Sequence, residues 1–236
     1  MFEFIRIQRF KSLLDASFPL GKLNLFSGLN GMGKSSLIQS LLLLRQSQER
    51  NTLGTKGLLL KGEYVSLGTG KDILSENAEE ETIDFTLVWE NASPVHLCFS
   101  YAPQSDLQPS HNPIELDLED KNLFSRKFQY LSADRVSPKP AYEISDYYIK
   151  DLNSIGNHGE YTAHFIAEYG LTPMKLLALK HKEAISDMLL ENIERWMSEI
   201  SPGIHIHATM QNATNSVSLG YAFENGTQLT AVFKPQ

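Results

Sequence analysis

The sequence predicts an α/β fold with an antiparallel β subregion and a helical segment, and three observations predict it. Apolar residues at Phe2, Phe4, Ile5, Ile7 and Phe10 approximate a two-residue period, the signature of a strand. A glycine-rich stretch over 28–33 then runs straight into a segment that is apolar around much of its circumference, through Leu37, Ile38 and Leu41, Leu42, Leu43 and Leu44. Further strand patterns follow with no helix between them, and helical periodicity returns only near Tyr161. Strand, loop and helix in that order mark an α/β domain, and consecutive strands without crossovers read as antiparallel.

The elements can be justified in order. After the first strand, Phe18, Leu20, Leu23, Leu25 and Phe26 continue the apolar pattern, so "LNLF" reads as a strand leading into the glycine-rich loop, and a helix is expected over 35–48. Gly68 and Gly70 bracket a turn in "EYVSLGTGKDIL", and "SENAEEET" is a solvated loop. Strands are expected over 83–89, 95–101, 114–118 and 128–131. Beyond the loop marked by Ser137, Pro138 and Pro140, helices are expected over 161–169 and 173–200, the second with an apolar stripe at Ile185, Met188, Leu189, Ile193, Trp196, Met197 and Ile200. Three strands close the chain, over 204–210, 217–223 and 229–233, the last two joined by an Asn225-Gly226 hairpin signal. This gives a nucleotide-binding mixed sheet over 1–135, a helical segment over 136–203 and a β-meander over 204–236.

Composition narrows the function classes. The 236 residues are 42% hydrophobic and 21% charged, which excludes a chain disordered throughout. A net charge of -7 argues against wholesale wrapping in polyanion, and Arg45, Arg50, Lys56 and Lys61 are the local candidates for contact with a nucleic acid backbone, with solvated surface charge the simpler account. Cys98 is the single cysteine, so neither a disulfide framework nor a cysteine zinc site can form, and its strand context reads as a buried inert thiol. Charges at Glu3, Arg6 and Arg9 interrupt the N-terminus and the apolar run at 41–44 is short, so a cytoplasmic protein with no membrane partner is expected.

The chemistry sits in Gly28-Leu29-Asn30-Gly31-Met32-Gly33-Lys34-Ser35, which fits G-x-x-x-x-G-K-[ST] at every fixed position. A chain of this length would match by chance roughly one time in a hundred. Phosphate oxygens must be met by backbone N–H groups, and glycine lets the backbone turn tightly and come close. Gly31 and Gly33 fill that role, while the helix that follows aims its dipole and free amides at the same anion. Lys34 should reach the β- and γ-phosphates, the Ser35 hydroxyl should ligate Mg²⁺, and Ser36 should donate to the α-phosphate.

The stretch "IRIQRFKSLLDASFPLGKLNLFSGLNGMGKSSLIQSLLLL" resembles the opening of ABC-type ATPases of the SMC, RecF and OLD (overcoming lysogenization defect) group. In that group a first strand ends in Phe-(Arg/Lys)-Ser and a later strand enters G-x-N-G-x-G-K-S-S, matched here by Phe10-Lys11-Ser12 and by Gly28 through Ser36. "GEYVSLGTGKDIL", "YLSADRVSPKPAYE" and "IGNHGEYTAHFIAEYG" are similar to stretches of bacterial AAA-family ATPases that carry a C-terminal domain of unknown function. The resemblance implies a P-loop NTPase, the ABC-ATPase-like first lobe, with ATP and Mg²⁺ as cofactors. It also implies a homodimer closed around nucleotide that gates a partner protein or DNA, in DNA maintenance or phage defence. Lys11 and Ser12 would lie beside the nucleotide, and Asn30 would shape the loop near the γ-phosphate.

The departures bear on hydrolysis. Such ATPases need four apolar residues followed by Asp-Glu, and "TLVWE", "FQYLSAD" and "IELDLED" each fail that pattern. "VSLGYAF" is the nearest string to an LSGGQ-like signature and lacks its glycine pair. Both elements belong to the family's second lobe, so the sequence is expected to be the N-terminal part of a longer ATPase with its catalytic residues unassigned. The alternatives are an interaction module that binds ATP without turning it over and, further off, a small-molecule kinase. His205 and His207 share one face of a strand and lack a third ligand nearby, so solvent-facing histidines are the better account. No G-x-S-x-G elbow and no Asn-Lys-x-Asp motif is present.

Overall fold

The computed structural model describes residues 1–114, 118, 121–223 and 228–230, and the chain divides into two compact units, Met1–Phe128 and Gln129–Gln236.

The first unit is organised by strand β1 (Phe2–Phe10), which lies between β2 (Leu13–Pro19) and β4 (Thr82–Trp89). Both pairings are antiparallel, with Ile7 opposite Ala16 on one side and Phe85 on the other. Strand β5 (Val95–Ser100) completes the order β2-β1-β4-β5. The period-two pattern does its expected work in β4, where Ile83, Phe85, Leu87 and Trp89 are buried and their neighbours only half so. Onto this apolar face, with Ile5, Ile7 and Phe10 of β1, packs helix α1 (Lys34–Glu49) through Leu37, Leu43 and Leu44. Burying a side chain of this size contributes about 1.5–3 kcal/mol each.

Two polar side chains of α1 hold the remaining chain in place. Gln46 donates to the Leu59 carbonyl and accepts from the Val65 amide, fixing the short antiparallel pair β3 (Gly57–Leu59) and β6 (Leu107–Pro109) along the helix. Glycine is required at 57, where φ is +141° and a Cβ would fall 1.9 Å from the Gln108 carbonyl oxygen. Arg45 is buried against Glu49, the Leu123 and Ser125 carbonyls and the face of Phe128. It is therefore a structural pin and leaves the proposed basic cluster to the exposed Arg50, Lys56 and Lys61.

In the second unit β9 (Ser216–Phe223) pairs along its length with β8 (Ile204–Gln211), and also with β7 (Tyr142–Glu143) and β10 (Gln228–Thr230) at its two ends. Helix α2 (Thr162–Tyr169) places Ala163 in a small core with Tyr142, Ile206, Val217 and Leu219, and α3 (Leu189–Ser198) adds Leu190, Ile193 and Met197. Among the described residues no helix is long and apolar enough to cross a membrane.

The α/β P-loop NTPase fold of ABC-ATPase-like first-lobe type, expected from the sequence, is overturned. Mostly antiparallel sheets with few helices form instead, and every strand pairing among the described residues is antiparallel. "LNLF" pairs with no described strand, and Leu23 and Leu25 are 92% and 90% exposed. Apolar alternation makes a strand only where a ladder partner and a face to bury against exist; 23–26 has no described ladder partner, and of its apolar side chains Phe26 alone finds a neighbour, edge-on to Phe18. The helix expected over 173–200 is reduced to α3 and a separate 3₁₀ turn at Leu177–Leu179, because Glu191 accepts the Ile185 and Ser186 amides and Asn192 accepts the His181 amide, which breaks the helix before α3. The segment 128–131 is likewise not a strand. The expected strand over 114–118 falls mostly outside the described residues, as do the Asn225-Gly226 turn and residues 231–233.

These placements give a paired test by chemical denaturation. Phe85→Ala should cost about 3–5 kcal/mol as a core truncation. Leu25→Ala should change stability by less than about 0.5 kcal/mol, and a loss above about 2 kcal/mol would show that 23–26 is a buried strand.

Candidate functional site

The glycine-rich loop is shaped by backbone conformations that its glycines alone accept easily. Gly28, Gly31 and Gly33 have φ of +148°, +84° and +90°. A Cβ on Gly28 or Gly31 would meet nothing within 4 Å, so their need is conformational. At Gly33 space matters too, because a Cβ would come within 2.5 Å of Leu13 Cδ2 and 3.2 Å of Ser12 Oγ. The loop is thus seated directly against the β1–β2 turn.

Gly33 stands at the start of α1 in the left-handed conformation, with no side chain capping the helix and no acidic residue in its first turn. Among the described residues the positive end of the helix dipole has no side-chain cap and no first-turn carboxylate, which is the condition that favours an anion. Lys34 folds back over the loop, its Nζ donating to the Gly28 and Leu29 carbonyls at 2.7 Å each. Asn30 and Ser35 are exposed, whereas Ser36 is buried.

The structure brings Lys11 and Ser12 to this loop. Ser12 Oγ lies 3.3 Å from Ser36 Oγ, and Lys11 Nζ donates to Gln39 Oε1 at 3.0 Å. Lys11 takes φ of +51°, an uncommon state for a residue with a Cβ, and its amide donates to the Ile73 carbonyl at 2.7 Å. A third segment joins there, the turn Gly70–Asp72, where Asp72 accepts from the Thr69 amide and hydroxyl. Those two bonds hold the Asp72 carboxyl below its usual range, with Lys71 and Lys11 adding attraction.

Gln39 and the Thr69–Asp72 turn were not identified from sequence as part of the site. Gln39 carried a faint signal, since it lies three residues beyond Ser36 and so on the same helical face.

Other sequence candidates resolve simply. His205 and His207 are exposed on β8, His205 lying 3.4 Å from Glu194, and no group of three or more potential metal ligands occurs among the described residues. Cys98 is half-buried, its thiol pushed up to about 11 by burial first and by the neighbouring Asp84 carboxylate second.

No protein-family model matches the chain, and no curated protein matches it either.

The thiol offers a direct check on this local geometry. At pH 8 only about one Cys98 side chain in a thousand should be thiolate, so iodoacetamide should label the native protein far more slowly than the denatured one. Equal rates would overturn the half-buried placement and the raised thiol.

Proposed function

We propose that the chain binds Mg²⁺-ATP through Gly28, Asn30, Gly31, Gly33, Lys34, Ser35 and Ser36, with Lys11 and Ser12 beside the nucleotide. The observation that carries this reading is the uncapped start of α1 behind a loop of left-handed glycines, with a lysine ammonium folded onto the same loop. Loop amides, helix dipole and ammonium together suit a polyphosphate better than a single carboxylate or sulfate. Mg²⁺ keeps most of its water and takes one or two protein oxygens beside the phosphates. The exposed Ser35 hydroxyl fits that need, and the ion would neutralise phosphate charge.

In this proposal the chain is the nucleotide-holding part of a cytoplasmic ATPase. Two copies would close around nucleotide to gate a partner, either a protein or DNA. Binding without turnover is the competing outcome, and phosphate release from the chain measures it directly: sustained turnover supports the ATPase, while binding with none supports the interaction module.

The binding itself is tested at Lys34. Lys34→Ala should lower ATP affinity at least about 30-fold by calorimetry, the loss expected for a charge-assisted contact to phosphate. Its melting temperature should stay within about 2 °C of the parent, since a half-exposed side chain outside the core is removed. Unchanged affinity would sink the assignment.

A further inference from the structure

We propose that Gln39 is a positioning residue which holds the Lys11 ammonium at the nucleotide as a second, undiminished positive charge. The inference rests on the phosphate-binding reading of the loop and deepens it.

Three observations place Lys11 with more care than an ordinary surface lysine receives. Its backbone, at φ +51°, is held by the hydrogen bond its amide donates to the Ile73 carbonyl, so the turn is fixed from one side. The next residue, Ser12, packs on Gly33 and lies 3.3 Å from Ser36 Oγ, so the turn is fixed against the loop from the other. Finally the side chain itself is captured by Gln39 Oε1 at 3.0 Å, from the helix face that also carries Ser36.

The chemistry of the captor matters. An ammonium has three donors, and one bond to Gln39 leaves two for a ligand. A carboxylate at the same place would hold Lys11 equally well but cancel its charge, whereas an amide oxygen orients the cation and leaves the charge available. Asp72 is a carboxylate within electrostatic reach of Lys11, and that group is already engaged by Thr69. The arrangement is therefore suited to a ligand with several negative charges in a row, a nucleoside triphosphate ahead of a monophosphate.

The test is a double-mutant cycle read as ATP affinity by calorimetry, with AMP as the control ligand and melting temperature as the check on folding. Gln39→Leu, which keeps the volume and removes the acceptor, should weaken ATP binding about 5- to 10-fold while barely changing AMP. Gln39→Glu should weaken ATP binding more than Gln39→Leu, because it neutralises the cation it holds. In a Lys11→Met background both substitutions should have no further effect. An equal loss from Gln39→Leu with and without Lys11 would mean a merely structural role, and Gln39→Glu binding as tightly as the parent would mean that the charge of Lys11 is not used. Either result overturns the inference while leaving Lys34-dependent ATP binding intact. A parent protein that does not bind ATP would instead remove the underlying reading, and this inference with it.

Discussion

The position of β1 between β2 and β4 is the constraint on which the first unit depends. Its two antiparallel ladders fix a register, and a slip of one residue would turn Ile5 and Ile7 from the core to the opposite face. That register also determines where β1 ends. Phe10 is the last core residue, Lys11 and Ser12 make the turn, and Leu13 returns to the core beside Gly33. The same hydrophobic contacts that build the sheet thus deliver a lysine and a serine to the glycine loop, so site geometry and core stability are one problem.

The helix side of this arrangement is equally economical. α1 spends one face on the sheet through Leu37, Leu43 and Leu44, and its C-terminal half on polar anchors, with Gln46 and Arg45 gripping loop carbonyls. Its first turn, by contrast, makes no side-chain cap. Rigid packing downstream and unspent donors upstream are what a preformed anion site requires, because the amides need not reorganise when a ligand arrives.

Much of this was legible in the sequence, and the failures have physical causes. Strand β4, with its strict alternation, and α1, with its glycine start, could be read to within a residue or two, since burial alone dictates their patterns. The glycine motif named its own backbone needs. "LNLF" misled because apolar alternation records what a segment could bury and says nothing about whether a partner strand is beside it. The long helix expected over 173–200 failed because Glu191 and Asn192 spend their side chains on loop amides, a competition invisible to periodicity. Gln39 was missed for a related reason: its spacing from Ser36 places it on one helical face but gives it no role until folding brings the Lys11 turn against it.

The Lys34 ammonium donates to two carbonyls of its own loop, and in the proposed site those carbonyls would compete with an incoming anion for it. Under the proposed reading, parting the ammonium from these two carbonyls would cost every incoming anion alike, so the net gain would grow with the charge that the ligand brings. A polyphosphate, with several charges to offer, would then gain more from the loop than a small monovalent anion.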